Sequence, residues 1–427
     1  MTDGQQPTGA LSDVNVLDMS WVAAGPLCGV LFAYFGATVV RVESAVRVDV
    51  ARVSPPLFQG QPGINNSVWY GAMNLGKYGL GLDLNTDAGK EIVGKLVDWA
   101  DIVIEGFTPG TMARWGFDYE RLRARKPGII MLSLTLQGQT GPLSPMRGYG
   151  LQVQGMSGMA SLIGWPDGSP TGFTIAYPDY IVPMQAAFAT VAALDHRDRT
   201  GDGQHLDLAQ MEATISFTGT AIPDYSANGR LALREGARLM AGDAPATAPH
   251  GTYPTQGDGF DKLTTGDRWI AISVFDDAEW AALCRVLGRD DWLGDARFAT
   301  HEARCANDAE LDAAIAEETG KHDARELQER LQAAGVPAGA VLNQQLMYED
   351  AQLRHRGHFV PMTHPVWGQF EAEQFGVRMT ETPPVIQRPA PTISQHNEYV
   401  LREVLGYSED DFNRLVAEGG VEFYSGD

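Results

Sequence analysis

The sequence predicts an α/β fold in which a mainly parallel sheet carries helices on both faces. Three observations predict it. Apolar strands and amphipathic helices alternate at short spacing through the first half of the chain. The opening stretch reads strand, small-residue turn, helix, strand. The composition, 44% hydrophobic and 20% charged over 427 residues, is that of a globular chain long enough for two or three domains.

Residues 14–19 alternate apolar and polar positions and predict a strand. Residues 20–26 make a turn of small residues, with Pro26 suited to a first helical turn. An apolar helix follows over 27–35, Gly36 stops it, and 38–42 is the second strand. This βαβ unit lacks a dinucleotide fingerprint, because neither Ala24-Gly25-Pro26 nor any other stretch fits GxGxxG. The glycines of 74–84 either allow close backbone approach to a ligand or serve as turn residues. Residues 86–100 predict an amphipathic helix with Ile92, Val93, Leu96 and Val97 on one face. Residues 101–105 are a strand that runs through the turn 106–110 into a short helix carrying Arg114. Residues 128–134 are another strand, followed by the loop 137–142. Residues 184–194 read as an almost wholly apolar helix, helical character runs over 186–196 to an end at Arg197, and a short strand at 205–208 and a helix at 209–217 come next.

The composition then shifts to Gly, Pro, Ala and Asp over 221–262, which predicts a linker or long loop. A strand at 269–274, a helix at 277–287 and the charged, helix-rich 311–334 predict a second, smaller domain. Residues 335–341 read as a strand returning to the first domain, and helices at 399–405 and 409–418 close the chain. The expected boundaries are 1–222, 223–334 and 335–427.

Charge and composition exclude several function classes. A net charge of −22 argues against a nucleic-acid partner. No apolar run approaches the ~20 residues of a membrane helix, and the polar residues 1–10 carry no secretory signal. Cys28, Cys284 and Cys305 are odd in number and far apart, which predicts a reduced, cytoplasmic chain. No histidine or cysteine spacing suggests a metal site.

The stretch with most chemistry is 176–180, where Asp179 sits among Tyr177, Pro178, Tyr180 and apolar neighbours. A carboxylate stripped of water becomes a stronger nucleophile. Asp is also a favoured helix cap, so from the residues alone both roles stand.

Several stretches together resemble the family III CoA-transferases, the family of formyl-CoA transferase and of the carnitine and bile-acid CoA-transferases. They are Val16-Leu17-Asp18 with Ala24-Gly25-Pro26, the run from Gly36 to Glu43, and Asn74, Lys77 and Leu82-Asp83-Leu84. Asp101 to Glu105 with Phe107 and Pro109-Gly110 follow, then Gly138 to Pro142, Arg199-Thr200-Gly201 with Gly203-Gln204 and Asp207, and Gly335 to Gly339. The order and approximate spacing are the family's over nearly the whole chain. The wording of 164–167, 176–179 and 207–213 looks most like the branch containing succinyl-CoA:benzylsuccinate CoA-transferase.

The resemblance implies a Rossmann-like large domain, a smaller α+β domain, and an interlocked homodimer, with a heteromer of related subunits as the other assembly. It implies that CoA moves from an acyl-CoA, with succinyl-CoA the first candidate, to a free carboxylic acid. Asp179 falls where the family has its nucleophile, which forms an aspartyl anhydride and then an aspartyl thioester. By position, CoA contacts would come from Ala23, Ala24, Leu82, Asp83, Leu84, Asn85, Gly106, Phe107, Thr108, Arg114, Arg147, Gly148, Tyr149 and Gly150. Gly155 and Gly158 are candidates for oxyanion-holding N–H groups, and Gln139 either orients a carboxylate or makes a loop hydrogen bond. No cofactor beyond CoA as substrate is implied.

The chain departs from the family at Gly106, where many relatives have Asn, and at Gly150, where others have Asp or Glu. The glycine loop over the formyl-CoA transferase site has no clear counterpart; residues 244–259 occupy that region. Racemases of the family use a histidine near 148–150, and no histidine occurs between Gly138 and Tyr180. That argues against an acyl-CoA racemase or isomerase. A non-catalytic CoA-binding partner subunit should lack the aspartate, and Asp179 is present.

Overall fold

The computed structural model describes residues 9–241, 244–256 and 268–424. These fall into two compact units: residues up to 161 with 171–232 and 352 onward, and residues 162–170 with 233–351.

The larger unit is built on six parallel strands: β1 (Asn15–Asp18), β2 (Thr38–Glu43), β3 (Tyr78–Gly81), β4 (Ile102–Glu105), β5 (Ile130–Thr135) and β6 (His205–Ala209). Their order is β3-β2-β1-β4-β5-β6, the doubly wound Rossmann arrangement. β4 and β5 are buried along their whole length, as a sheet covered on both faces requires. On one face the helix Asp87–Trp99 packs Ile92, Val93, Leu96 and Val97 beside Val400, Leu401 and Leu415 of the C-terminal segment. Cys28 and Phe32 of the helix Ala24–Tyr34 meet Val182, Ala186 and Leu194 of the helix Pro178–Thr200 in the core of the other.

At the C-terminal ends of β1 and β2 and the start of β3 lies a buried network of six charges. Arg52 donates to both carboxylate oxygens of Glu43, at 2.7 and 2.6 Å. Arg41 bonds Asp49 at 2.6 Å, and Lys77 bonds Asp18 at 2.7 Å. None of the six is more than 2% exposed. Three cations face three carboxylates, which is how charges survive burial. Desolvation nevertheless pulls Lys77 down to about 8.

The smaller unit is α+β. Strands His250–Thr255, Arg268–Ser273 and Ala338–Ala340 form an antiparallel sheet. Trp280, Leu283, Leu311, Ile315, Leu327 and Leu331, from the helices Asp277–Leu287, Asp308–Thr319 and Ala324–Ala333, fill its core.

Three sequence expectations need correction. Residues 335–341 do not return to the large unit, because Ala338–Ala340 pairs with Arg268–Ser273 in the small sheet. A three-residue strand carries no address of its own, and it follows a helix already packed on that sheet. The chain re-enters the larger unit at Gln352, not at 335. The division before it falls at 232/233 rather than 222/223, because 221–262 is not a simple linker: Ala221–Asn228 is a helix and His250–Thr255 a sheet strand. That helix buries none of its residues, so no apolar period marks it. Residues 257–262 of the expected loop, and 1–8 of the polar N-terminus, lie outside the described residues. The antiparallel pair Phe359–His364 and Gly368–Glu373 was not anticipated.

Among the described residues no helix is long and apolar enough to cross a membrane. The three cysteines are free, and among the described residues no group of three or more metal-ligating side chains is placed to hold an ion.

Candidate active site

Sheet order fixes where a site forms. β1 and β4 are neighbours whose connections leave in opposite directions, and the crevice beyond their carboxyl ends is the usual ligand position. A cavity of about 270 Å³ lies there. Its wall takes residues 21–25 from the turn after β1, 106–109 from the turn after β4, 134–136 from the end of β5, Ser144, residues 146–149, Asp179 and Gln210.

The turn after β1 is held under strain. Val22 has φ +70°, an outlier for a β-branched residue. Its N–H donates to Asp49 at 3.0 Å, and Arg41 grips the same carboxylate oxygen. The buried charge network therefore sets the backbone on one side of the cavity. On the opposite side, the Phe107 N–H donates to Glu105 at 2.8 Å, and Phe107 packs edge-on against both Trp21 and Trp115.

Asp179 occupies the first turn of the 23-residue helix Pro178–Thr200. Pro178 starts that helix, where a missing N–H costs nothing. Tyr177, not Asp179, is the cap, and no side chain caps the helix. Pro183 lies inside the helix, so the Asp179 carbonyl receives no N–H from the position that would ordinarily supply it. Asp179 is 9% exposed and lines the cavity. Burial raises its carboxyl to about 6, with no cation offsetting the desolvation. Gly150 opens the helix Gly150–Met156 directly against it: a Cβ at Gly150 would come within 2.8 Å of Asp179 Oδ2 and 2.5 Å of the Ala176 Cβ. A glycine is the residue that allows this approach.

The structure brings Ala23, Ala24, Gly106, Phe107, Thr108, Arg147, Gly148 and Tyr149 into one wall with Asp179. Arg147 is exposed and has no ion-pair partner among the described residues. Leu82, Asp83, Leu84, Asn85 and Arg114 are not in that wall. Leu82 is 1% exposed and packed in the core, Leu84 packs against the same core, and Asp83 accepts hydrogen bonds from Asn85. Arg114, exposed on the helix Thr111–Trp115, donates to Thr111. Gly155 and Gly158 are also outside the wall, and the Gly158 N–H is already donated to Gly155. Gln139 bonds a carboxylate of the protein itself, Glu105, at 3.1 Å. Asp207 holds its backbone N–H at 2.9 Å. Sequence reading missed Trp21, Thr135, Ser144, Met146 and Gln210. Only the position of Thr135 and Gln210 at strand ends could have signalled them.

The titratable side chains of the wall are Asp179, Arg147 and Tyr149. A desolvated carboxylate in a cleft is chemically equipped either to attack an acyl carbon or to move a proton.

A family model described as CoA-transferase family III matches residues 11–397. The chain is 33% identical over 415 residues to the succinyl-CoA–D-citramalate CoA-transferase of Chloroflexus aurantiacus, covering 97% of this chain and 98% of that one. It is 34% identical over 406 residues to the succinate–glutarate CoA-transferase of Agrobacterium fabrum, covering 95% and 98%. Among solved structures, a CAIB/BAIF family protein from Brucella suis matches with a TM-score of 0.83 at 30% identity, over 93% of this chain and all of that one.

Proposed function

Because this chain belongs to CoA-transferase family III, we propose that it carries CoA from succinyl-CoA to a second carboxylic acid, with Asp179 as the covalent nucleophile. The observation that carries this reading is the isolated, desolvated Asp179 carboxylate at the sheet's switch point. The named activities of the Chloroflexus and Agrobacterium relatives favour a succinyl donor and a dicarboxylic acceptor.

In the first step an Asp179 oxygen attacks the thioester carbonyl carbon. The carbonyl π pair moves to its oxygen, then returns as the C–S bond breaks. An anhydride and CoA thiolate result. The thiolate attacks the Asp179 acyl carbon, the anhydride C–O bond breaks, and succinate leaves from an aspartyl–CoA thioester. The acceptor carboxylate repeats both steps in reverse. The thioester energy is kept throughout, provided water is excluded.

In this reading the cavity of about 270 Å³ beside Asp179 takes the acyl group and the adjoining end of the pantetheine arm. The CoA phosphates are assigned to Arg147, exposed in the cavity wall, and to Arg114, exposed outside it. The testing experiment offers succinyl-CoA with a panel of dicarboxylic and monocarboxylic acids and follows new CoA thioesters by mass. Transfer to at least one dicarboxylate is expected, and hydrolysis alone would reject the reading. In the same assay Arg147→Ala should raise KM for succinyl-CoA roughly ten- to hundredfold, the worth of a charge-assisted bond, with the acceptor KM little changed.

The racemase reading is disfavoured because no histidine lines the cavity. For assembly, a second copy is proposed to cover the exposed Met184, Phe188 and Val191 of the helix Pro178–Thr200. Sedimentation should find a dimer at nanomolar concentration; a folded monomer there would exclude it.

A further inference from the structure

Two buried polar side chains in the cavity wall each leave a polar atom unmatched among the described residues. Thr135 is 7% exposed and Gln210 is 6% exposed, and both line the cavity with Asp179. Among the described residues the Thr135 hydroxyl has no hydrogen-bond partner, and neither has the Gln210 side-chain oxygen Oε1. They are neighbours by construction. Thr135 ends β5 opposite Ala209, the last residue of β6, and Gln210 begins the next helix. That helix is tied to the one bearing Asp179: Gln185 Nε2 donates to the Ala213 carbonyl at 3.2 Å and to the Ser216 hydroxyl at 2.7 Å. The three groups thus keep fixed relative positions.

Leaving a buried polar group unmatched is unfavourable, and native proteins rarely do so without a reason. The hydroxyls of Thr214 and Ser216 are spent on backbone: Thr214 donates to the Gln210 main-chain carbonyl and Ser216 to that of Ala213, each at 2.7 Å. No partner fixes which end of the Gln210 amide faces the cavity, so its NH₂ is free to turn toward a ligand oxygen.

We infer that Thr135 and Gln210 form the oxygen-binding pair of the transfer reaction, donating to the acyl carbonyl oxygen as Asp179 attacks. This rests on the proposed transfer through Asp179 and adds the groups that receive the developing charge. When the carbonyl π pair moves onto oxygen, the two largely buried donors meet the developing anion, where preorganised bonds count most. They also fill the role that Gly155 and Gly158, outside the wall, do not.

The test uses the near-isosteric Thr135→Val and Gln210→Met in the full-length protein. Each should lower kcat with succinyl-CoA by on the order of 10²-fold with KM within about twofold, because the bond is strongest in the transition state. Each should also melt at or above the parent's temperature, since an unmatched buried group is removed. A purely structural role predicts the reverse pair of signs: lower melting and unchanged turnover per folded molecule. Thr135→Ser keeps the hydroxyl and should retain most activity, which guards against a Val variant that fails to fold. Hydroxylamine trapping separates the two levels of argument. If the parent is not labelled at Asp179, the transfer reading fails. If parent, Thr135→Val and Gln210→Met are all labelled at one rate, the oxygen-binding assignment alone is overturned.

Discussion

Asp179→Asn is expected to abolish transfer while leaving the protein at least as stable as the parent. The amide cannot form the anhydride, so turnover should fall by several orders of magnitude. Stability should move the other way. Burial raises the Asp179 carboxyl to about 6 in the folded protein, above its unfolded value of 3.8. The folded state then holds a proton between those values that the unfolded chain has released. Asp179 accordingly stabilises nothing at neutral pH: its favourable contribution is complete below about pH 4 and is lost as pH rises through about 6. The Asn variant escapes that loss. Its advantage in denaturant should be near zero at pH 4, grow to pH 6, and level off at roughly 2–3 kcal/mol above it. The parent's kcat/KM should rise through the same window as the nucleophile ionises. Incubation with succinyl-CoA and hydroxylamine should leave a hydroxamate on the peptide containing Tyr177 to Tyr180. An active Asn variant, or label at another residue, would end the nucleophile assignment.

Arg52→Met should be the most damaging single change to the fold. Arg52 is fully buried, forks onto both oxygens of Glu43, and also bonds Asn65 at 3.0 Å and Tyr70 at 2.7 Å. Its removal leaves Glu43 with Arg41 at 3.8 Å and a weak Tyr70 contact. Breaking a buried pair from one side costs about 3–5 kcal/mol, because a charge is stranded without water. The double variant Arg52→Met with Glu43→Met removes both charges and should recover much of that loss. Denaturant midpoints for the parent, the two single variants and the double variant give the coupling directly. A single-variant loss under about 1 kcal/mol would show that solvent reaches the network. Arg41 of the same network also holds Asp49 and, through it, Val22, so Arg52→Met should weaken catalysis as well.

Much of this was legible in the sequence. Alternation and 3.6-residue periodicity gave β1, β2, β4, β5, β6 and the helix Asp87–Trp99 to within a few residues. These elements bury a face locally, and the pattern records it. The family was also in reach, because a motif's order along the chain needs no coordinates, and the same order singled out Asp179, which the fold places in the cavity wall.

Tertiary structure decided the rest. The destination of Ala338–Ala340 was settled by pairing with Arg268–Ser273, which three residues cannot specify alone. Asp179 proved to be inside its helix and not its cap, a difference of two positions that the helix start at Pro178 determines. Glu43, Arg52 and Lys77 look like ordinary surface charges in a sequence. Only the stacking of β1, β2 and β3 reveals that each is compensated in the interior. Leu82–Asn85 matched by position yet stand outside the cavity, whereas Thr135 and Gln210, marked in the sequence only by their place at strand ends, stand within it. A sequence states what a side chain can do. Which polar atoms are left unmatched beside a carboxylate depends on how separate strands end in space, and only the folded chain fixes that.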